Sequence, residues 1–527
     1  SSDLLLPLSG VTPGSLTLQP DATIGPLASG SHSANITLAS AGIASKTVTS
    51  QLTLTAPQLS TNTTSLVFGG AKGRDFSPQL LSIGLNTNVD WPWSLSGMPA
   101  WLLPAATTGK ASTRATTQSV AVDASKAPVG TTTATVNLLA TVNGEAARSA
   151  LSVTINADQR RLLPSISAVG LASTPTGQVL SRTLQVRDSF DGGLPWTATS
   201  DAPWLTVTPA GRTDSAATLT LTADPASLPV AQLSTARITL RSSQPGVEAA
   251  VVRVSLWKDT QGATALRKLP LDRQALVADT LRPYVYTHAG GADIEVYHAY
   301  TGQKLATWSG AGAALGAMAV SPDGSLLYVA DTVNRSISRV DLDTGVKRDT
   351  WPLRNVTRVN DSAIVVRPAG VDVLIMSDGS TYATGRYLGN VNGGYGLAAT
   401  PDGRLLASQD TGYSPASASL VNLDYSEVGG GTLMTSGAKG SSFYNGSSNG
   451  RDIALSADGT RAYTATGAPY RCTVLSTQDM SVLGSLPGGD AYPNNVEVTS
   501  DGRVICGISG WYSASDFWVH TAAGALI

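Results

Sequence analysis

Apolar and polar residues alternate along most of the chain, in short runs separated by glycine, proline, serine or aspartate. In "LTLTADPASLPVAQLSTARITLRS" (219–242), Leu219 and Leu221 fall on one side of the alternation and Thr220 on the other. A period of two predicts short β-strands with one buried face. No apolar run approaches the roughly 18 residues that a membrane-spanning helix needs. The pattern therefore predicts an all-β chain without membrane insertion.

The first 257 residues contain three related segments with a period near 100 residues. Asp21, Asp123 and Asp224 occupy equivalent positions in them. Units of this length, with frequent turn signals, predict immunoglobulin-like β-sandwiches at 58–157 and 158–257. Both contain two tryptophans eight residues apart, which favours a place in the core, with a glycan-stacking platform as the alternative. These structural repeat residues are Trp93, Trp101, Trp196 and Trp204.

The first of the three segments is incomplete, because nothing before Val11 corresponds to the tryptophan-bearing strands. We expect residues 1–57 to form the C-terminal half of a sandwich. Half a sandwich would expose a core face and open strand edges. Either residues upstream or another chain would supply the missing strands.

After a linker at 258–272, the period falls to about 43 residues. The Pro-Asp-Gly or related turn ends an inner strand, and its glycine supplies the positive φ that the turn needs. Two further strands follow, and then a turn to an outer strand. About six such units fit residues 273–527, so we predict a six-bladed β-propeller, with seven blades as the alternative. The repeats that define the period are "SPDGSLLYVADTVNRSISRVDLDTG" (321–345), "TPDGRLLASQD" (400–410), "SADGTRAYTATG" (456–467) and "TSDGRVICGIS" (499–509).

Two family resemblances follow from these motifs. The order W-(x)7-W-L-x-V-x-P, then an aspartate, then A-x-I-T-L resembles the BACON family of bacterial immunoglobulin-like modules, over about residues 1–257. The unit "YVADTVNRSISRVDLDTG" resembles the YVTN family of β-propellers, over about residues 273–527. The BACON resemblance implies carbohydrate binding or a spacer role and no catalytic residue. The YVTN resemblance implies a fold and little about function.

Composition narrows the function classes. The 527 residues are 42% apolar and 14% charged, with a net charge of −2 and no cluster of lysine or arginine. Nucleic acid is therefore a poor candidate partner. The two cysteines form no metal-binding motif. The start Ser1-Ser2-Asp3 is typical of a mature or trimmed product, and we expect an exported protein at the cell surface or in the periplasm.

No catalytic constellation stands out, so we predict no catalytic residue, metal or cofactor. His288 and His298 are expected on neighbouring strands of the first blade, where they could share one rim. A hydrogen-bonded structural role is the preferred interpretation, and it extends to His520, whereas His32 is interpreted as a surface residue of a sandwich loop. Asp341 and Asp343 are interpreted as turn residues, because the loop lacks the remaining ligands of a calcium-binding hand.

Aromatic residues are the remaining candidates for recognition. Trp511, Tyr512 and Trp518 lie in "GWYSASDFWVH" (510–520), which has no counterpart in the other blades. Tyr413 and Tyr444 lie in long polar loops, where binding residues often occur.

Two other residue pairs are interpreted structurally. Trp308 and Trp351 lie 43 residues apart, which favours packing between blades. Cys472 and Cys506 fall on strands of adjacent blades, where they would either form a disulfide or fill apolar space.

These observations predict a non-catalytic exported bacterial surface protein, with a stalk of sandwiches and a propeller head for adhesion or binding. The expected partner is a cell-surface glycan or another surface protein. One alternative is a structural subunit of a surface layer, sheath or filament that forms by self-assembly. A second alternative is a propeller hydrolase or lyase with its centre in the funnel.

Overall fold

The structure is a computed structural model that divides the chain into two compact units, residues 1–158 and 159–527. Within the described residues, the only helix is a short 3-10 turn at Val428–Gly430, and strands form the remaining regular structure. The described residues are 4–5, 9–20, 27–175, 177–264, 267–354, 359, 361–410, 417–436, 441–443, 448–468, 470–488, 492–508 and 515–527.

The first unit combines a long hairpin with a complete sandwich. Before the sandwich lie β1 (Leu4–Leu5), β2 (Gln19–Pro20), β3 (Gly30–Ser40) and β4 (Ile43–Leu54). The sandwich consists of β5 (Leu59–Thr61), β6 (Ser65–Phe68), β7 (Gln79–Leu85), β8 (Trp91–Ser96), β9 (Leu102–Pro104), β10 (Thr108–Ala111), β11 (Thr116–Val122), β12 (Gly130–Val142) and β13 (Glu145–Ala157). One sheet has the order β10-β8-β12-β13-β6 and the other β5-β7-β11-β9.

The second unit begins with a sandwich of the same design. Its strands are β14 (Arg160–Pro164), β15 (Ala168–Ser173), β16 (Leu180–Asp188), β17 (Pro195–Ser200), β18 (Leu205–Val207), β19 (Ala210–Arg212), β20 (Thr218–Ala223), β21 (Gln232–Arg241), β22 (Val247–Glu248) and β23 (Ala250–Lys258). The orders β19-β17-β21-β23-β15 and β18-β20-β16-β14 repeat those of the first sandwich strand for strand, and β22 extends the second sheet. The prediction of tandem immunoglobulin-like sandwiches is confirmed.

The repeated tryptophans lie in the sandwich cores, with between 1% and 8% of each side chain exposed. Trp93 faces Gly109 on the neighbouring strand, and Trp196 faces Gly211 in the same way. A Cβ at either glycine would overlap the indole ring, so each glycine lets the ring lie flat against the backbone. Trp101 and Trp204 pack in the same two cores. Burial of a tryptophan removes about 150–250 Å² from water, which accounts for its presence in both copies.

Six blade sheets follow the second sandwich. Blade 1 is β24 (Ala275–Ala278), β25 (Tyr284–His288), β26 (Ile294–His298) and β27 (Lys304–Trp308); blade 2 is β28 (Leu315–Val320), β29 (Leu326–Asp331), β30 (Ser336–Asp341) and β31 (Lys347–Pro352); blade 3 is β32 (Ala363–Val366), β33 (Val373–Met376), β34 (Ser380–Ala383) and β35 (Arg386–Asn390). Blade 4 is β36 (Gly396–Ala399), β37 (Leu405–Gln409), β38 (Ser417–Ser426) and β39 (Thr432–Ser436), with β40 (Ser441–Phe443) added beside β38. Blade 5 is β41 (Ser448–Leu455), β42 (Arg461–Ala468), β43 (Cys472–Ser476) and β44 (Val482–Ser485); blade 6 is β45 (Pro493–Val498), β46 (Val504–Ile508) and β47 (Phe517–His520).

The turn between the first two strands of a blade has the chemistry expected from the sequence. In blade 2, the Ser321 hydroxyl donates to Asp323 at 2.7 Å, and the Asp323 carboxylate accepts the Ser325 N–H. Gly324 then adopts a φ of 63°, and the equivalent glycines of blades 4, 5 and 6 have φ between 68° and 85°. A side chain at this φ would be strained, so the repeated Asp-Gly reflects turn geometry.

Trp308 and Trp351 connect neighbouring blades, as their spacing suggests. Trp308 stacks on Tyr286 of its own blade at 5.3 Å between ring centroids and lies against Gly345 of blade 2. Trp351 packs edge-on against Tyr328 at 5.6 Å and lies against Gly385 of blade 3. Each tryptophan therefore fills the space between the outer parts of two blades.

Candidate functional site

The two faces of the propeller differ in what covers them. In a meander of four antiparallel strands, the first and third turns lie on one face, and the second turn and the connection to the next blade lie on the opposite face. The structure places the second sandwich against the face formed by the first and third turns. We call this the covered face and the opposite one the free face.

Arginine side chains hold the second sandwich to the covered face. Arg253 of β23 donates to both carboxylate oxygens of Asp343 at 2.8 Å and to the carbonyl of Gly324 at 2.8 Å. Arg282 of the propeller also binds Asp343. Burial would raise the pKa of Asp343, but the hydrogen bonds from Arg253 and Arg282 outweigh it and hold that pKa below its ordinary value.

A second group of contacts reinforces this junction. Arg161 of β14 forms ion pairs with Glu248 at 2.8 Å and with Glu427 of blade 4 at 3.0 Å. Trp257 of β23 packs edge-on against His298 of blade 1, with 4.4 Å between the ring centroids. The contacts reach blades 1, 2 and 4, so this face is occupied by the chain itself.

The free face has an exposed pair of aromatic rings in blades 5 and 6. Tyr470 follows β42, and Tyr492 precedes β45, so both stand in connections of the free face. Their rings meet edge-to-face at 5.3 Å, and the residues are 45% and 37% exposed. Hydrogen bonding to Tyr492 raises the pKa of Tyr470. We call this pair the tyrosine platform.

The backbone around the tyrosine platform adopts uncommon conformations. Tyr470, Tyr492 and the nearby Asn449 all have φ between 49° and 67°. Bulky residues rarely adopt positive φ, and such positions concentrate at binding and catalytic sites. Gly467 leaves room for them, because a Cβ there would lie 2.9 Å from Asn449 and 3.2 Å from the Tyr492 ring.

Two exposed amide residues follow Tyr492 closely in the chain. Asn494 and Asn495 are exposed, and both side chains lie beside Gly507 of the adjacent strand. Asparagine amides both donate and accept hydrogen bonds. Exposed rings beside such amides can stack on an apolar face and hydrogen-bond to polar groups around it. This combination suits recognition of a polar ring or a peptide surface.

A disulfide connects the two blades that form the platform. Cys472 begins β43, two residues after Tyr470, and is bonded to Cys506 of β46, with 6.3 Å between the Cα atoms. The sequence left the pairing of these cysteines open. The bond ties blade 5 to blade 6 close to the platform, and both cysteines are buried.

Two carboxyl groups of the inner strands have raised pKa values. Burial raises the pKa of Asp452, which accepts the Val496 N–H at 3.0 Å. Glu497 is partly exposed, but desolvation by the surrounding chain and the charge of Asp452 together raise its pKa to about 7. Among the residues that the structure describes, no group of three or more His, Cys, Asp or Glu side chains is placed to hold a metal ion.

Of the aromatic binding candidates, Trp518 lies within the described residues. Trp511, Tyr512, Tyr413 and Tyr444 lie outside the described residues. Trp518 is described and half-buried in β47, where its ring lies 3.1 Å from the position of a Cβ on Gly488. Trp518 therefore packs against the connection between blades 5 and 6 rather than standing free on the surface.

The histidines do not form a shared site. His288 is buried, with its Nε2 2.7 Å from the carbonyl of Gly316, while the His298 Nδ1 accepts the N–H of Tyr300. The prediction that His288 and His298 could share one rim was wrong, because each ends one of two antiparallel strands and the two strands end at opposite edges. His520 contacts the carbonyl of Pro487 at 2.7 Å, and His32 that of Ala28 at 2.8 Å.

Sequence reasoning missed the tyrosine platform. Tyr470 lies in "TGAPYRC" and Tyr492 in "GGDAYPNN", and both stretches have the turn residues that drew attention to Tyr413 and Tyr444. A tyrosine in a polar loop was the available signal. The two residues are 22 positions apart, and only the packing of blade 5 on blade 6 brings their rings together.

Comparisons with known proteins add no assignment of function. No family model and no curated protein matches the chain. One solved structure that it resembles is hydrazine synthase of Kuenenia stuttgartiensis, at 16% identity and a TM-score of 0.35, with 50% of this chain and 80% of that chain covered. A structural similarity at this level indicates neither a family nor a function for this chain. A search of the described residues for a helix able to cross a membrane found none.

Proposed function

We propose that this protein is a non-catalytic binding protein of the bacterial cell surface, in which the propeller is the recognition head. The tyrosine platform is the observation that carries this proposal. It places two exposed rings and neighbouring amides on the one propeller face that the second sandwich leaves uncovered. The sandwiches act as spacers, and the partner is a cell-surface glycan or another surface protein.

The chemistry of the platform supports a polar partner. Tyrosine and asparagine make large or adaptable contacts at little cost in side-chain entropy, and both are enriched at binding surfaces. The disulfide and the packing between blades 5 and 6 hold the rings in place before binding. A surface organised in advance loses less entropy when its partner arrives.

A glycan-array screen of the full chain tests the proposal. The double variant Tyr470→Ala/Tyr492→Ala should bind the glycans that the natural protein retains at least tenfold more weakly in Kd. Stacking on one aromatic ring, or one aromatic residue at the centre of an interface, contributes about 1–3 kcal/mol to binding. Phe517→Ala is the matched control, because Phe517 is a 44% exposed ring in blade 6 outside the platform.

The outcomes separate clearly. Unchanged binding by the double variant would contradict the platform as the site, and so would an equal loss of binding in Phe517→Ala. If no glycan binds, a pull-down with purified surface proteins asks the same question of the protein partner, and equal recovery by the natural chain and the double variant would contradict the proposal.

A second candidate function is assembly with a second copy of this chain, and the hairpin β3–β4 favours it. Ile36 pairs with Val48 as Ile238 pairs with Val252 in the second sandwich. Val252 is fully buried, whereas Val48 is 45% and Leu38 46% exposed. In the described part of the chain, no third strand joins this hairpin. Ile36 on the same face is buried, but Leu38, Val48 and both edges of the hairpin are open to strands from another copy.

A further inference from the structure

A cleft lies between blades 2 and 3, away from the tyrosine platform. It has a volume of about 270 Å³ and is lined by Pro352, Arg354, Tyr382, Gly385, Arg386 and Tyr387. The volume suits one ring-sized group better than an extended ligand. None of the six lining residues is acidic, although two are arginines.

The two arginines are positioned by uncharged groups. The Tyr382 hydroxyl donates to the backbone carbonyl of Arg354 at 2.7 Å and accepts the backbone N–H of Arg354 at 2.9 Å. These two hydrogen bonds fix the backbone from which the Arg354 side chain extends. Arg386 donates to the carbonyl of Gly430. Arg354 is exposed and lines the cleft, and a guanidinium in such a place can donate several hydrogen bonds to a bound oxyanion.

Rings and a tight turn form the walls. The ring centroids of Tyr382 and Tyr387 lie 5.6 Å apart, and Tyr387 is 38% exposed. Thr384 and Gly385 have φ of 48° and 81° and connect β34 to β35, which brings Arg386 and Tyr387 to the same edge of the cleft. Pro352 supplies an apolar surface opposite them.

We propose that this cleft binds an acidic sugar unit, in which a carboxylate or sulfate group meets Arg354 and Arg386 and the sugar ring lies against Tyr387. Guanidinium groups pair with planar oxyanions through two parallel hydrogen bonds, and an exposed tyrosine ring accepts the apolar face of a sugar. The proposal rests on the proposed function only in treating the propeller as a binding head. The cleft is a separate site from the platform.

Isothermal titration of the full chain tests the proposal with four probes: an oligogalacturonide, a sulfated oligosaccharide, the neutral maltohexaose and inorganic sulfate. An acidic oligosaccharide should bind, and its affinity should fall as salt is added. Arg354→Gln should weaken binding about tenfold or more, as loss of a charge-assisted hydrogen bond predicts. Tyr387→Ala should also weaken it. Arg503→Gln, in an exposed ion pair of blade 6, is the matched control and should bind as the natural protein does.

Several results would overturn the proposal: no binding of either acidic oligosaccharide, equal binding of maltohexaose, or inorganic sulfate as tight as the oligosaccharides. Tyr470→Ala distinguishes the two sites. Binding lost in Tyr470→Ala and kept in Arg354→Gln would overturn the cleft and leave the proposed function standing. Binding lost in Arg354→Gln and kept in Tyr470→Ala would support the cleft, whatever the platform does.

Discussion

At the scale of single residues, the side chains that recur in each repeat are those that pack in the core. The side chains proposed for recognition occur once each, at uncommon backbone conformations. Trp93 and Trp196 are buried against glycines, so their repetition reflects the core. Tyr470 and Tyr492 occur once each, at positive φ, and are exposed. Periodicity therefore identified the core residues. It could not identify the platform, because the platform has no counterpart in other blades.

Glu497 gives the clearest pH prediction. Its pKa is raised to about 7 in the folded protein, so the folded state holds this proton more tightly than the unfolded state. The stabilising contribution is complete below about pH 4.5 and is lost as the pH rises through 7. Glu497→Gln should therefore raise Tm at pH 8 by about 2–4 °C, an amount that corresponds to roughly 1 kcal/mol after allowance for water contact.

Thermal unfolding of the full chain at pH 4.5 and pH 8 measures this effect, with Glu145→Gln in the first sandwich as the control. Equal gains in Tm at both pH values would show that the substitution acts through packing and would contradict the assigned pKa.

At the scale of elements, the sequence predicted strands and turns well, because both depend on local chemistry. The alternation located the strands, and the Asp-Gly turns located the blade repeats at Gly324 and its equivalents. The prediction that His288 and His298 could share one rim was wrong. The edge of the sheet that a residue reaches depends on the direction of its strand and not on sequence spacing alone. The hairpin β3–β4 corresponds to the paired strands β21 and β23 of the second sandwich, in both sequence and register.

The hairpin predicts concentration-dependent self-association. Sedimentation velocity of the full chain should show a larger species, and Leu38→Lys/Val48→Lys should shift it to monomer, because charges on the apolar face oppose its burial. Thr37→Lys/Thr47→Lys is the matched control, since these residues face each other on the polar side of the same hairpin. A natural chain that stays monomeric at every concentration would contradict assembly through this face.

At the scale of the whole second unit, contacts between residues far apart in sequence hold the second sandwich to one propeller face. Arg253 and Asp343 are 90 residues apart in sequence, and neither carries a local signal of its partner. The succession of sandwiches and blades along the chain could therefore be predicted from the repeats, whereas the covered face could not. This junction is formed on the propeller face opposite the tyrosine platform.

Asp343→Asn should loosen the junction. It removes the charge that Arg253 and Arg282 share, so trypsin should cut the linker after Arg267 or Lys268 several-fold faster in the full chain at pH 7. The pKa of Asp343 is lowered, so its contribution is present above about pH 3.8 and is lost as the pH falls through the folded value. Asp349→Asn, which removes an exposed pair within blade 2, is the control. Equal cleavage of all three chains would contradict this account of the junction.

The central claim is that a partner binds the free face through the tyrosine platform. Hydroxyl-radical footprinting of the full chain, with and without a glycan or surface protein selected by the binding screens, tests it most directly. The account predicts protection of Tyr470 and Tyr492, with Phe517 and the exposed residues of hairpin β3–β4 unchanged. Protection elsewhere, with both platform tyrosines as reactive as in the free protein, would contradict it.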